Sequence, residues 1–265
     1  MIKINKITSG RFGNRVLQVL NGLQIAKKLS LPLYCVSWPA MSVFNELENL
    51  KFRESNINIK KDYQLSISDI KKNNFWEHLK NLSKEKNLVI PGVGRNLMIH
   101  NVFLDLLDSD PSKLLTLKDE FKTCLDDSKF NVGIHIRGDD VASKSPREST
   151  AHLTDYYKRA IKATVNNFDN LKFYICTDDI NWKVFKNVRN YLTEEKLSWS
   201  LGEATLSPVD NWSRNVSHIS DFSLLTECDM LISSSSTYCI CAAVLGKSKK
   251  VIHSKKWIDR NIPGD

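Results

Sequence analysis

The sequence predicts an α/β protein built as two halves, each a sheet flanked by helices. Three observations carry that expectation. Short strand-like runs alternate with longer runs of helical periodicity along the chain. Turns rich in glycine, acids or hydroxyls follow several strand-like runs, which is where an open α/β sheet holds its ligands. The 265 residues, 42% hydrophobic and 26% charged, suffice for one large domain or two small ones and have ordinary globular composition.

Lys3 to Ser9 alternates apolar and polar residues, as a strand does. The turn Gly10-Arg11-Phe12-Gly13-Asn14 follows, and then Val16, Leu17, Val19, Leu20, Leu23 and Ala26 recur at helical spacing as far as Leu29. Leu31 to Trp38, entered through Pro32, reads as a second strand and completes a β-turn-α-β opening. Residues 40–85 are less regular, rich in Lys and Asn, and predict short helices and loops. Leu88 to Val93 predicts a short strand ended by Pro and Gly signals. Pro111 to Leu125 predicts a helix capped by Ser109 or Asp110.

A second block begins near Lys129. Its expected strands are Phe130 to Ile136, Lys172 to Thr177, Leu197 to Leu201, Met230 to Ser233 and Lys250 to His253. Its expected helices are His152 to Val165, with Thr154 as candidate cap, Ile180 to Leu192, Asp221 to Cys228 and Tyr238 to Leu245. The halves meet near residue 128, so the expected domains are residues 1–128 and 129–265. No repeat of fixed period and no low-complexity linker is visible.

Composition narrows the class further. No apolar run approaches the ~18 residues a membrane span needs. Met1 to Gly10 has no signal-peptide apolar core, and the six cysteines form no CxxC pair, so zinc knuckles and thioredoxin-type chemistry are not expected. Most cysteines sit in apolar runs and read as small core residues, which fits a reducing, cytoplasmic setting. The net charge of +8 favours anionic partners, but it is dispersed among acids, and a solvated surface explains it without a nucleic-acid arm. It leaves open peripheral association with an anionic membrane surface.

Four segments could carry chemistry. Gly10 to Arg15 lies between a strand and its helix, where backbone amides can approach an anion; a plain tight turn is the alternative. In Gly133 to Asp140, His135 and Arg137 are two apart and project from one face at a strand's end. The Arg137 fork suits a phosphate, or else an ion pair with Asp139 or Asp140. Met230 to Thr237 runs from a strand into a helix start lined by hydroxyls, which is either an anion pocket or a Ser/Thr cap. Tyr174 to Asp179 ends a strand in Thr-Asp-Asp, either ligands or caps for the next helix. Asp108-Ser109-Asp110 has the spacing of a divalent-cation site on a sugar nucleotide, although capping is the better reading. The first four together suit a diphosphate lying in a cleft.

These residues resemble the fucosyltransferase superfamily. Gly10 to Asn14 with its apolar helix resembles the opening motif of protein O-fucosyltransferases and α1,2-fucosyltransferases, although Arg15 stands where those have Gln. His135-Ile136-Arg137 with Asp140 resembles the His-x-Arg-Arg-Gly-Asp motif of the α1,2 and α1,6 groups, without its second Arg. Tyr174 to Asp179 resembles their strand ending in Thr-Asp-Asp, and Asp221, Cys228-Asp229 and Ser236-Thr237 resemble their donor-binding block. The bacterial α1,2 type is closest, with residues 40–128 unmatched.

The resemblance implies a GT-B-like fold, two facing Rossmann-like halves, with GDP-fucose as donor substrate, no metal and no further cofactor. It implies that Arg137 contacts the β-phosphate, His135 lies near the nucleotide, Asp221 reads guanine, and Ser235, Ser236 and Thr237 hold diphosphate oxygens. Gly13 and Asn14 would also contact the donor. Arg137 and Asp140 are the expected catalytic residues, with Asp139, Asp140 and Glu148 as the candidates for a base at the acceptor hydroxyl. The expected function is inverting transfer of fucose to a glycan hydroxyl. The alternatives are another nucleotide sugar on the same scaffold, a metal-dependent transferase using Asp108 and Asp110, and a non-enzymatic basic RNA-binding protein.

Overall fold

A computed structural model describes residues 1–5, 12–38, 41–48, 60–70, 72–91, 113–138, 150–203, 217–233, 236–248 and 250–253. The chain divides into two compact units, the first built on Met1–Lys118 and the second on Asp119–Asp259. The division falls ten residues before the expected boundary at 128. The run after Lys118 is tied to the second unit, where the Thr123 backbone N–H donates to Ser223 Oγ at 2.8 Å.

The first unit carries a parallel sheet in the order β2-β1-β4-β3, formed by β1 (Ile2–Ile4), β2 (Leu33–Cys35), β3 (Asp62–Gln64) and β4 (Asn87–Val89). Helix α1 (Phe12–Leu29) buries Val16, Leu17, Val19 and Leu20, as their spacing predicts. It packs close to the sheet: a Cβ on Gly22 would stand 2.9 Å from Ile4 Cδ1. Ser30, with φ of 53°, turns the chain out of the helix, and Leu31 N–H donates to Ala26 O at 2.9 Å.

Between residues 40 and 85 lie α2 (Asn45–Glu48), α3 (Ile67–Ile70) and α4 (Phe75–Glu85), in keeping with the expected short helices. Strand β3 was not foreseen; its Asp62 accepts from Lys3, Asn5 and Asn87 and so ties three short strands together. Asp69 and Ser66 form a capping box at α3, and Tyr63 donates to the same carboxylate.

The helix expected over Pro111 to Leu125 does not form in its described part, 113–125. Tertiary partners take its backbone instead. Thr116 N–H donates to Glu46 at 2.7 Å, Leu117 bridges Phe44, and Lys118 N–H donates to Val43 O.

The second unit contains β5 (Phe130–Ile136), α5 (Thr150–Val165), β6 (Leu171–Thr177), α6 (Lys183–Glu194), β7 (Trp199–Leu201), α7 (Ser217–Glu227), β8 (Met230–Ser233), α8 (Thr237–Leu245) and β9 (Lys250–His253). Its sheet is wholly parallel, in the order β7-β6-β5-β8-β9. Alternation along β5 decides its packing. Val132, Ile134 and Ile136 join the core formed with Tyr156, Tyr157 and Ile161 of α5 and Val184, Phe185 and Val188 of α6. Gly133 points the other way, where a Cβ would meet Leu225 and Leu231 at 2.7 Å, so its bareness admits α7. Thr154 lies inside α5 rather than capping it, and its Oγ1 accepts from Asn187.

None of the six cysteines is in a disulfide; five are buried and Cys124 is exposed. Among the described residues no helix is long and apolar enough to cross a membrane.

Candidate functional site

The strand order places a crevice. The chain leaves β5 toward β6 and β7, then returns to the other side of β5 for β8 and β9. Strand β5 is therefore followed in the chain by a neighbour on one side and β8 by a neighbour on the other, and ligands of open α/β sheets bind beyond the carboxyl ends at such a switch point. The register pairs His135 with Ser233 across it. Arg137 thus lies just past β5, and Ser236 and Thr237 start α8 just past β8.

His135 shares the face of Gly133, turned toward α7 and α8. Its ring stacks on Tyr238 of α8 at 5.2 Å, and Phe222 of α7 meets Tyr238 edge-on at 5.3 Å. Tyr238 OH donates to His218 O. Burial holds the His135 imidazole down to a pKa of about 4; the Asp178 charge opposes this and Arg137 adds to it. The ring is therefore neutral at neutral pH and adds no charge to that of Arg137. Arg137 itself is partly exposed.

The strand ends are braced from the opposite face by α5. Tyr157 OH donates to His135 O at 2.8 Å, while Tyr156 OH lies 2.9 Å from Ser233 O and 2.8 Å from Ile252 O. The two hydroxyls thus tie α5 to the carboxyl ends of β5, β8 and β9. Neither tyrosine was anticipated, and an apolar helix face carrying Tyr-Tyr gives no signal of this role.

Ser236 is the N-cap of α8, its Oγ accepting from Tyr238 N–H at 3.3 Å. The cap reading of this hydroxyl is realised, and the Oγ proton remains available to donate. Helix α8 is apolar nearly all round, burying Cys239, Ile240, Cys241 and Ala242.

Asp221 lies in α7 and is only 4% exposed. It faces the end of β7: a Cβ on Gly202 would stand 2.2 Å from Asp221 Oδ1. Asp229, which marks the family spacing, lies at the opposite, amino end of β8 and accepts from Asn131 N–H at 2.8 Å.

Thr177 and Asp179 make local turns, Asp179 Oδ1 accepting from Asn181 N–H at 2.8 Å. Neither caps α6, whose N-cap is Trp182. Asp178 reaches across instead and accepts from Gly138 N–H at 2.6 Å.

Gly13 and Asn14 lie in the first turn of α1, in the first unit, beyond the carboxyl end of β1. Trp38 is near that helix start, its ring 6.0 Å from Phe12, and its Nε1 is buried with no hydrogen-bond partner. Asp108, Asp110, Asp139, Asp140, Glu148 and Ser235 lie outside the described residues. Among the described residues no group of three or more His, Cys, Asp or Glu gathers as a metal cage.

Residues 52–262 match the pattern of glycosyl transferase family 11. The chain belongs to glycosyl transferase family 11. As a family 11 glycosyltransferase it is an enzyme, which decides against the non-enzymatic RNA-binding alternative. The match reaches into residues 52–128, which the motif comparison left unmatched, and stops short of the Gly10 to Asn14 turn.

Two solved structures share the fold. A mutant of FUT1 from Arabidopsis thaliana in complex with GDP has a TM-score of 0.57 at 12% identity, covering 97% of this chain and 71% of its own. The fucosyltransferase NodZ from Bradyrhizobium has a TM-score of 0.52 at 12% identity, covering 96% of each chain. No curated protein sequence matches significantly. The family 11 chain thus has the expected α/β, GT-B-like class, with two Rossmann-like halves.

Proposed function

We propose that this family 11 glycosyltransferase transfers fucose from GDP-fucose to a hydroxyl of a glycan acceptor, with inversion and without a metal. One observation carries the reading: Arg137 and the start of α8 flank the switch point of a parallel sheet. A cation and a helix N-terminus there suit a diphosphate. In transfer, the bond from the fucose anomeric carbon to the β-phosphate oxygen breaks through an oxocarbenium-like state. Negative charge then grows on the departing GDP. Arg137 and donors at Ser235, Ser236 and Thr237 stabilise that charge more than the ground state. Asp140 takes the acceptor proton, with Asp139 and Glu148 as the other candidates.

His135 borders the nucleotide as a neutral ring. Asp221 accepts from guanine N1–H and N2–H, because a carboxylate offers two acceptor oxygens to two donors. Gly13 and Asn14 are assigned to the donor on the family motif alone. In this reading residues 129–265 hold the donor and residues 1–128 serve the acceptor. The enzyme works in the cytoplasm, its positive charge favouring the inner membrane surface.

A nucleotide panel tests the proposal. GDP should raise the melting temperature more than UDP, CDP or dTDP, and Asp221→Asn should erase that preference, since an amide presents donors to guanine's donors. Transfer from GDP-fucose should persist in excess EDTA. Equal protection by UDP refutes the guanine assignment, and activity lost in EDTA but restored by Mn²⁺ refutes metal independence.

A further inference from the structure

Arg137 can stabilise a departing phosphate only if its backbone is held still, because a 1 Å displacement of a catalytic group can cost ~10²-fold in rate. The β5–β6 ladder ends at the pair Ile136 and Thr177. Arg137 is therefore the first residue past β5 and its pairing. The next residue, Gly138, is not left loose. Its N–H donates to Asp178 Oδ1 at 2.6 Å, a short bond to a charged acceptor. The Asp178 side chain thus stands where a ladder carbonyl would have stood, and it extends the β5–β6 pairing past Arg137.

Gly138 is also pressed against the neighbouring loop. A Cβ there would stand 2.9 Å from Asp179 Cβ and 3.1 Å from Trp182 Cε3. Its φ is not positive, so glycine is required by the close approach and not by its dihedral.

We propose that Asp178 is a positioning residue for Arg137: by accepting the Gly138 N–H it fixes the turn that aims the guanidinium. The inference rests on the reading of Arg137 as the group that stabilises the leaving phosphate. It also gives a role to the acid after β6, which neither capping nor the transfer chemistry had used. The contact needs an acceptor oxygen at that point; a full negative charge is secondary. Asp178→Asn can present its amide oxygen to Gly138, whereas Asp178→Ala cannot.

The test is single-turnover transfer from saturating GDP-fucose, with GDP affinity and melting measured alongside, for Arg137→Lys, Asp178→Ala, Asp178→Asn and the double variant Arg137→Lys with Asp178→Ala. Asp178→Ser, whose hydroxyl is too short to reach, replaces the alanine variant if that one does not fold. Asp178→Ala should lower turnover ~10–10²-fold with GDP affinity within about threefold. Asp178→Asn should restore most of the loss. In the double variant the two losses should not multiply, because both act through one group.

Full turnover in Asp178→Ala, beside a crippled Arg137→Lys, overturns the positioning role and leaves the Arg137 reading intact. Losses that multiply, or an asparagine variant as poor as the alanine one, do the same. An Arg137→Lys enzyme with normal turnover overturns the reading of Arg137 and the inference with it.

Discussion

Lowering the pH from 7.5 to 4.5 should destabilise the second unit through His135. The imidazole is 7% exposed, stacked on Tyr238, and its pKa is held at about 4 against 6.5 for a free side chain. Burial is the leading cause, since a ring already shut away from water gains its charge without hydration. The folded pKa is the lower one, so between 6.5 and about 4 the unfolded chain binds the proton and the folded chain does not. Stability from this residue is complete above that window and is lost as the pH falls through it. At pH 4.5 the loss should be on the order of 2–3 kcal/mol.

The assay is urea unfolding at several pH values for the natural protein and for His135→Phe, which keeps an aromatic ring against Tyr238 but cannot titrate. Carboxylates and His253, whose pKa burial also lowers, affect both proteins alike. The difference between the two stability curves should open by roughly 2–3 kcal/mol from pH 7.5 to 4.5. Curves that stay parallel refute the argument, because they would mean that His135 takes its proton as readily folded as unfolded.

Gly202→Ala should cost about 1–3 kcal/mol, as overpacking does, because its Cβ would meet Asp221 Oδ1 at 2.2 Å. It should weaken GDP as Asp221→Asn does, and unchanged melting with unchanged GDP affinity would contradict both effects. Thiol titration of the folded protein should find one fast-reacting group, Cys124, and six after denaturation. Burial raises the Cys35 and Cys239 thiols to about 12, which keeps their reactive thiolates scarce. A second fast thiol in the native protein would show that one of the buried five is accessible.

The second unit was legible almost strand by strand. Its strands carry runs such as Val-Gly-Ile-His-Ile and Tyr-Ile-Cys-Thr, buried on both faces, and such runs stand out from the helices between them. The first unit was read less well. Strand β3 is Asp-Tyr-Gln, exposed at two of its three positions, so no apolar pattern marks it. Lys3, Asn5 and Asn87 hold its Asp62 from positions more than twenty residues away. The helix expected over Pro111 to Leu125 failed for a related reason. Its local pattern was sound, but Glu46, Phe44 and Val43 captured the backbone that the helix needed.

The candidate site divides in the same way. Residue type and distance along the chain were enough to single out His135, Arg137 and the Ser236–Thr237 helix start, because each follows or precedes a strand or helix that local pattern defines, whereas Asp221 came from the family resemblance alone. Which strands lie side by side is not a local property. That β5 sits between β6 and β8, making a switch point at Arg137, came only with the strand order. The same holds for the neutral state of His135, which depends on burial beneath Tyr238, and for Asp178, which reads as a cap along the chain but binds Gly138 forty residues away. Periodicity and turn chemistry act over a few residues, so the sequence alone determined the class, most elements and the candidate residues. Desolvation and backbone hydrogen bonds between distant segments exist only once the sheet has formed, so the tertiary structure decided what those residues touch.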